Sequence, residues 1–521
     1  MAFWASGPTG GPTWDDAERL LHAHTRALLG PRPAHRHVAI MVTMPAAIEV
    51  SEAWMERLLR AGTNVIRING AHEGPDEWRR LVATARSVAA RLDHPVRIVL
   101  DMPGPKLRTV ALEEGPRVMR LHPARDELGR TTEPSRVTLH AGAAAHPADA
   151  LAIPAQVLAR IEVGDRLVLR DARGKKRRLI VVSRGPGGAV AEAHESTYVT
   201  PESELALERG GEVLERFRPL EVPMRPHRIT LAVGDRFALV RVGASAPAGL
   251  PAIGCTLEAA LASLRVGQRV LFDDGHLETV AEETCPTHAV LRVTFAPVRG
   301  LALGGEKGVN LPDTDLALPL LGPDDERAIE LAHELADVLG ASFVRSAADV
   351  RTLYARLDEL DERPSGPLAA RARRAVREGP LGVIWKIETA QAFAALPEIL
   401  FAALERPPTG VMIARGDLAI EAGYERLAEL QEEILWLTEA AHMPAIWATQ
   451  VLDLHARTGR PTRAEVTDAA MSVRAECVML NKGPYVVEAV EALDDILRRM
   501  EQHQYKKRSL YRKLHLVLPG K

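Results

Sequence analysis

Eight short apolar runs, separated by helical patterns, constrain this chain more than any other feature. They cover residues 37–42, 64–68, 96–100, 341–344, 383–387, 410–414, 445–447 and 477–480. Between them lie stretches such as 51–61, 75–91, 324–339 and 426–441, whose apolar residues recur on a helical period. Eight strand–helix units in series predict an α/β fold, a closed parallel (β/α)8 barrel of the TIM type. Chemistry in such a barrel sits at the C-terminal strand ends. Asn69, Asp101, Lys386, Glu388, Asp417 and Thr449 all fall there. A further amphipathic helix is expected at 14–29, with Leu20, Leu21, Leu28 and Leu29 on its period.

Between the third and fourth runs the rhythm breaks. Residues 110–308 are rich in Val, Gly and Arg with short alternating patterns, which predicts a large β-rich insertion after the third strand. It carries an internal repeat. Arg136-Val137-Thr138-Leu139 matches Arg228-Ile229-Thr230-Leu231, and Val163-Gly164-Asp165-Arg166 matches Val266-Gly267-Gln268-Arg269. Leu205-Ala206-Leu207 before Gly210-Gly211-Glu212 echoes Leu301-Ala302-Leu303 before Gly304-Gly305-Glu306. A tandem duplication of about 130–215 and 225–308 is expected. The whole chain then divides into a helical segment 1–36, barrel parts 37–109 and 309–505 around the insertion 110–308, and a basic tail 506–521.

Composition narrows the function classes. A formal net charge of −3 without a dominant basic block argues against nucleic acid as the main partner. No run approaches the roughly 20 apolar residues of a membrane helix. The Gly/Pro-rich start lacks the order of a signal peptide. Cys255, Cys285 and Cys477 are scattered and odd in number, giving neither a disulfide framework nor a zinc pattern. A cytoplasmic protein is expected.

Two runs end in dense charge. Ile384-Trp385-Lys386-Ile387-Glu388 is followed, about thirty residues on, by Met412-Ile413-Ala414-Arg415-Gly416-Asp417-Leu418. Charges at buried strand ends must pair or hold a metal. Two carboxylates on adjacent strand ends suit a hard cation such as Mg²⁺. The neighbouring Lys and Arg suit an anionic, phosphorylated substrate. A structural ion-pair network is the competing reading of the same residues.

A family resemblance runs through the barrel. Asn64-Val65-Ile66-Arg67-Ile68-Asn69 with His72, Asp101 through Gly104-Pro105-Lys106-Leu107-Arg108-Thr109, Asp273-Asp274-Gly275 and Lys307-Gly308-Val309-Asn310-Leu311-Pro312 each resemble a motif of the pyruvate kinases. So do Ala341-Ser342-Phe343-Val344-Arg345, Lys386-Ile387-Glu388, Ala414-Arg415-Gly416-Asp417-Leu418, Ala448-Thr449-Gln450 and Arg460-Pro461-Thr462-Arg463-Ala464-Glu465, in the family's order.

The resemblance implies Mg²⁺- or Mn²⁺-dependent phosphoryl transfer between phosphoenolpyruvate and ADP or another nucleoside diphosphate, giving pyruvate and the triphosphate. Glu388 and Asp417 would bind the metal. Lys386 would neutralise the phosphoryl group in flight. Arg67 would take the substrate phosphate, and Thr449 would help protonate the enolate. Backbone amides of Arg415, Gly416 and Asp417 would hold the substrate carboxylate. His72, Arg108 and Lys307 would face the nucleotide. Self-association is left open.

The chain also departs from the family. Thr43-Met44-Pro45 lacks a glycine of the family's T-I-G-P, and Met102-Pro103 replaces a Thr-Lys pair. Ala71 stands where the family has a serine that helps hold potassium beside the equivalents of Asn69 and Asp101. Lys106 matches the lysine of potassium-independent members, so K⁺ is not expected to be required. Leu480-Asn481-Lys482-Gly483-Pro484 replaces L-S-G-E-T, losing a hydroxyl and a carboxylate. The chain ends soon after the last barrel helix, where the family has an effector domain, so no activation by sugar phosphates is expected. Two rivals remain at this level: a related phosphoenolpyruvate enzyme with another phosphoryl partner, and a non-catalytic phosphoenolpyruvate- or nucleotide-binding regulator.

Overall fold

The computed structural model describes residues 14–104, 107–142, 150–185, 187–256, 258–314, 316, 319–363 and 379–504. Lys106 and the tail 505–521 lie outside these residues. The chain divides into two compact units, one of Met1–Leu107, Ala262–Thr284 and Gly308–Lys521, the other of Arg108–Leu261 and Cys285–Lys307.

In the first unit eight parallel strands close into a barrel: Ala39–Thr43, Val65–Asn69, Arg97–Asp101, Val338–Ala341, Gly382–Ile387, Thr409–Ala414, Ala445–Val451 and Cys477–Leu480. The last pairs with the first, Ile40 opposite Val478. Each is apolar on both faces because helices cover the outside and side chains fill the inside. Alternation sorts the two faces. Val42, Ile66, Ile98, Trp385, Ile413 and Trp447 pack outward against the helices. Met41, Val65, Val99, Val338, Ile384 and Met412 fill the interior.

The fourth strand corrects the sequence expectation. It is Val338–Ala341, not 341–344, and the helix before it ends at Leu335. Val338 and Leu339 extend the helical period of apolar letters, which hides the boundary. Asp337 sets it physically. Its carboxylate accepts from the Ile98 amide at 2.6 Å and pairs with Arg86 at 2.7 Å and Arg97 at 3.2 Å. This pins the strand start against the third strand.

The expected N-terminal helix is Trp14–Leu29. Leu28 and Leu29 belong to the same buried cluster as the barrel interior, so this helix closes the barrel floor. Gly382 and Gly410 make room for it: a Cβ there would lie 2.8 and 2.5 Å from methyls of Leu28. The first unit also holds the antiparallel hairpin of Arg269–Phe272 and Leu277–Thr284, with Val309–Asn310 beside it.

The second unit is β-rich. A seven-stranded sheet runs Glu212–Phe217, Leu205–Arg209, Arg166–Arg170, Lys176–Gly185, Gly188–Ala193, Ser135–Ala141, Ala150–Ile153, over its own apolar core. Within it Ser135–Ala141 and Ala150–Ile153 pair in parallel, the helix Ala155–Arg160 follows, and Arg166–Arg170 opens a hairpin. Further along the chain, Arg236–Arg241 and Ala252–Cys255 pair in parallel, the helix Glu258–Ser263 follows, and Arg269–Phe272 opens a hairpin. The V-G-D/Q turns match in detail. The Glu162 amide donates to Asp165 at 2.8 Å and the Arg265 amide to Gln268 at 2.7 Å. The other two sequence matches do not correspond. Arg136–Leu139 lies in the seven-stranded sheet, whereas Arg228–Leu231 pairs with Leu301–Gly304 in a two-stranded one.

Candidate functional site

The interior alternation continues upward from the apolar layer. Two residues beyond Met41, Val65, Val99, Val338 and Ile384 come Thr43, Arg67, Asp101, Gly340 and Lys386, all pointing into the C-terminal mouth. Arg67 grips Asp101 with two nitrogens, Nε at 2.9 Å and Nη2 at 2.6 Å from Oδ2, and donates through Nη1 to Thr43 Oγ1 at 2.9 Å. Lys386 Nζ lies 2.9 Å from Glu388, 2.8 Å from Ser342 Oγ and 3.4 Å from Asp101. Gly340 is required: a Cβ there would overlap the Asp101 carboxylate. Asp101 Oδ1 is buried with no hydrogen-bond partner among the described residues.

The electrostatics are those of a compact network. Burial pushes the Asp101 carboxyl up, but Arg67 and Lys386 outweigh it and hold it below its ordinary value. Burial pushes Lys386 down, but Glu388 and Asp101 outweigh it and hold it above its ordinary value. Lys386 is therefore an ammonium at every pH of interest, although it is only 7% exposed.

Glu388 also accepts from the Phe343 amide at 2.5 Å, and Phe343 takes a positive φ of 55° to offer it. Register sets Ile387 opposite Ile413, so Glu388 stands level with the point where the sixth strand passes into the helix Arg415–Ala422. Asp417 lies in that helix's first turn, and among the described residues its carboxylate has no hydrogen bond or ion pair. No group of three or more His, Cys, Asp or Glu is arranged to hold a metal among the described residues. Two carboxylates nevertheless suit Mg²⁺, which commonly takes one or two protein carboxylates and completes its shell with water and substrate phosphate. One turn on, burial first and Asp417 second push the Glu421 carboxyl up to about 7; Asn310 donates to it at 3.2 Å.

Thr449 lies two residues before the end of the seventh strand with φ 65°, followed by Gln450 at 57°. A β-branched residue there is strained, at about 1–3 kcal/mol. Arg415 holds the strain in place. Its guanidinium donates to Ala448 O at 2.8 Å and Thr449 O at 2.5 Å, forks onto Asp468, and stacks over Trp447 at 4.9 Å. The side chain of Arg415 is thus occupied within the protein. The Gly416 amide donates to Thr449 Oγ1 at 2.8 Å, so a substrate carboxylate would compete with that hydroxyl for it.

A cleft of about 560 Å³ opens beside this network at the ends of the first, second and eighth strands. Thr43, Arg67, Asn69, His72, Arg457 and Lys482 are among its lining residues. Of the three residues expected to face a nucleotide, His72 lines this cleft. Arg108 and Lys307 belong to the second unit, where the Arg108 side chain donates to Glu306 O at 3.0 Å and the Lys307 amide to Thr109 Oγ1 at 2.9 Å. Nothing in the sequence marks a role for Gly340 or Asp468, and Thr43 and Ser342 stand there only as parts of longer motifs. In the structure inward alternation singles out Thr43, Gly340 and Ser342.

The chain is similar to known proteins in sequence and fold. A family model described as the pyruvate kinase barrel domain matches residues 35–174 and 227–490. Human pyruvate kinase PKLR is 35% identical over 262 residues, 49% of this chain and 41% of that protein. A pyruvate kinase of Staphylococcus aureus strain USA300 is 25% identical over 489 residues, 92% of this chain and 60% of that protein. The chain thus spans about half the length of these relatives. A crystal structure of a pyruvate kinase from Cryptosporidium parvum shares the fold, with a TM-score of 0.58 at 20% identity over 92% of this chain and 72% of that one.

Proposed function

We propose that this chain, which belongs to the pyruvate kinase family, transfers a phosphoryl group between phosphoenolpyruvate and a nucleoside diphosphate. The observation that carries the reading is the ammonium of Lys386, buried at the barrel mouth between Asp101, Glu388 and Ser342. Such a charge neutralises a phosphoryl group in transit without rearranging, which is the main requirement of this chemistry. Arg67, aligned by Asp101 and Thr43, would orient the substrate phosphate. The Thr449 hydroxyl accepts from Gly416 and so is free to donate its own proton toward an enolate carbon. Glu388 and Asp417 would hold Mg²⁺, which when bound supplies positive charge to the phosphate oxygens.

Potassium is proposed to be dispensable. Ala71 offers no hydroxyl, and its amide already donates to Asn69 Oδ1 at 3.2 Å. We also infer that the two runs of parallel pair, short helix and hairpin arose by duplication.

The test is pyruvate formation from phosphoenolpyruvate with a panel of nucleoside diphosphates in tetramethylammonium buffer, with and without Mg²⁺ and K⁺. Magnesium-dependent pyruvate with at least one diphosphate supports the reading. Strong stimulation by KCl beyond matched tetramethylammonium chloride would remove the potassium proposal. Pyruvate with none of them would leave a different phosphoryl partner or a binding role.

A further inference from the structure

The seven-stranded sheet of the second unit carries a charge pattern that the proposed reaction does not use. Its strands Arg166–Arg170 and Lys176–Gly185 form a hairpin around Asp171-Ala172-Arg173-Gly174-Lys175. Leu167, Leu169, Leu179 and Val181 turn into the apolar core beneath. Alternation therefore puts Arg166, Arg170, Lys176 and Arg178 on the opposite face, where all four are exposed.

The counterpart hairpin of Arg269–Phe272 and Leu277–Thr284 shows that the turn and ladder do not need these charges. Asp273 follows Phe272 as Arg170 follows Leu169, and Glu278 stands opposite Leu271 as Arg178 stands opposite Val168. Arg269 corresponds to Arg166, but Asp313 matches it at 2.7 Å.

The charges on the exposed face do not cancel. Neighbouring strand positions bring Glu192, Glu204 and Glu208 to it. Arg136 takes Glu192 at 3.0 Å, and Arg216 takes Glu204 at 3.1 Å. Only Glu208, opposite Arg166, is left against the four cations. At the hairpin tip Asp171 offsets Arg173 and Glu195 offsets Arg177, whereas Lys175 adds a fifth cation. Arg170 donates to Gly174 O at 3.1 Å, which leaves its charge unmatched. Among the described residues the side chains of Arg166, Lys175, Lys176 and Arg178 have no hydrogen bond or ion pair.

Side chains on one face recur about 7 Å apart along a strand, so the unmatched cations form a track and not a pocket. A linear chain of phosphates fits a track. Three of the four cations on the face are arginines, whose planar fork meets a phosphate with two bonds. At the tip the exposed Arg173 guanidinium lies 4.3 Å over the Tyr198 ring. An exposed guanidinium plane is a platform for an unpaired base. We propose that this face binds single-stranded nucleic acid through its phosphate backbone, without regard to sequence. The net charge of −3 argues against such a partner for the chain as a whole; the charge that attracts it is local to this face.

The test titrates a labelled mixed-sequence RNA strand, and its DNA counterpart, with the full chain over a salt series and reads anisotropy. Four or five phosphate contacts should make log K fall against log salt with a slope of about −3. Lys176→Glu with Arg178→Glu is expected to weaken binding at least tenfold and to flatten the slope by about 1. Arg80→Glu with Arg426→Glu changes the net charge equally at exposed helix positions of the first unit and should stay within twofold. Lys176→Gln with Arg178→Gln, a milder change, should still weaken binding at least threefold, and melting curves confirm that each variant is folded. Equal losses in the two glutamate pairs would mean net charge alone and overturn the proposal. So would strands left unbound by the wild type at the lowest salt, affinity unchanged in both track variants, or capture by phosphatidylserine vesicles with neither strand bound. Pyruvate formation enters none of these outcomes, so this inference and the catalytic reading stand or fall separately.

Discussion

Replacing Lys386 by methionine should abolish turnover and leave the chain folded. Methionine keeps the apolar stem and deletes the ammonium that lies 2.9 Å from Glu388 and 3.4 Å from Asp101. A unit charge about 3 Å from a phosphoryl oxygen at an effective dielectric near 20 is worth about 5 kcal/mol. Losing it would slow the reaction by three to four orders of magnitude, at about 1.4 kcal/mol per tenfold. Stability should fall less than the 3–5 kcal/mol typical of a broken buried pair, because Arg67 still grips Asp101. Acid adds a second signature. The lowered Asp101 carboxyl contributes stability above its ordinary value of 3.8, and that contribution is lost as pH falls below it. The variant has less to lose, so the gap in melting temperature should narrow below pH 4. Coupled pyruvate assays and calorimetric melting from pH 3 to 8 measure both. Turnover within tenfold of wild type would refute the assignment of Lys386, and a chain without a cooperative melt would refute its being dispensable for folding.

Gly340→Ala should push Asp101 off Arg67 and Lys386, raising the phosphoenolpyruvate KM at least tenfold and destabilising by about 1–3 kcal/mol as overpacking does; steady-state kinetics and melting check it. Arg415→Lys loses the fork onto Asp468 and the hold on Ala448 O and Thr449 O, so kcat should fall more than the phosphoenolpyruvate KM changes; equal effects on both would argue against a positioning role. Burial pushes the Glu476 carboxyl up to about 7, so the wild type loses stability as pH rises from about 4.5 to 7. Glu476→Gln should therefore melt higher than wild type at pH 8, by at most about 3 kcal/mol, and show no advantage at pH 4; urea melts at the two pH values decide it.

The barrel strands were legible because both faces are buried, which writes them as unbroken apolar letters ending in charge. The fourth strand slipped by three residues because Val338 and Leu339 prolong a helical period, and Asp337, which breaks it, acts through partners far away in sequence. Arg67 came in through the family resemblance, whereas Asp101 and Lys386 could be placed from strand ends alone. The use of Arg415 could not: its charge suggested a ligand, yet its partner Asp468 sits on the helix Arg463–Met471 and carries no local mark. In the inserted region the V-G-D/Q turns matched because their cap bonds are local. The R-V/I-T-L and L-A-L matches misled because strand pairing depends on distant partners.

The helix Trp14–Leu29 has a consequence for the order of assembly. Leu28 seats against Gly382 and Gly410, hundreds of residues downstream, so its contacts close some of the longest loops in the chain. Contacts of that span form slowly. A ribosome delivers this helix well before the strands that make its socket. Leu28 and Leu29 must wait in water, or under another protein's cover, until the ring of strands is complete. Protection of the amides of Trp14–Leu29 from hydrogen exchange would then clock the last step of refolding.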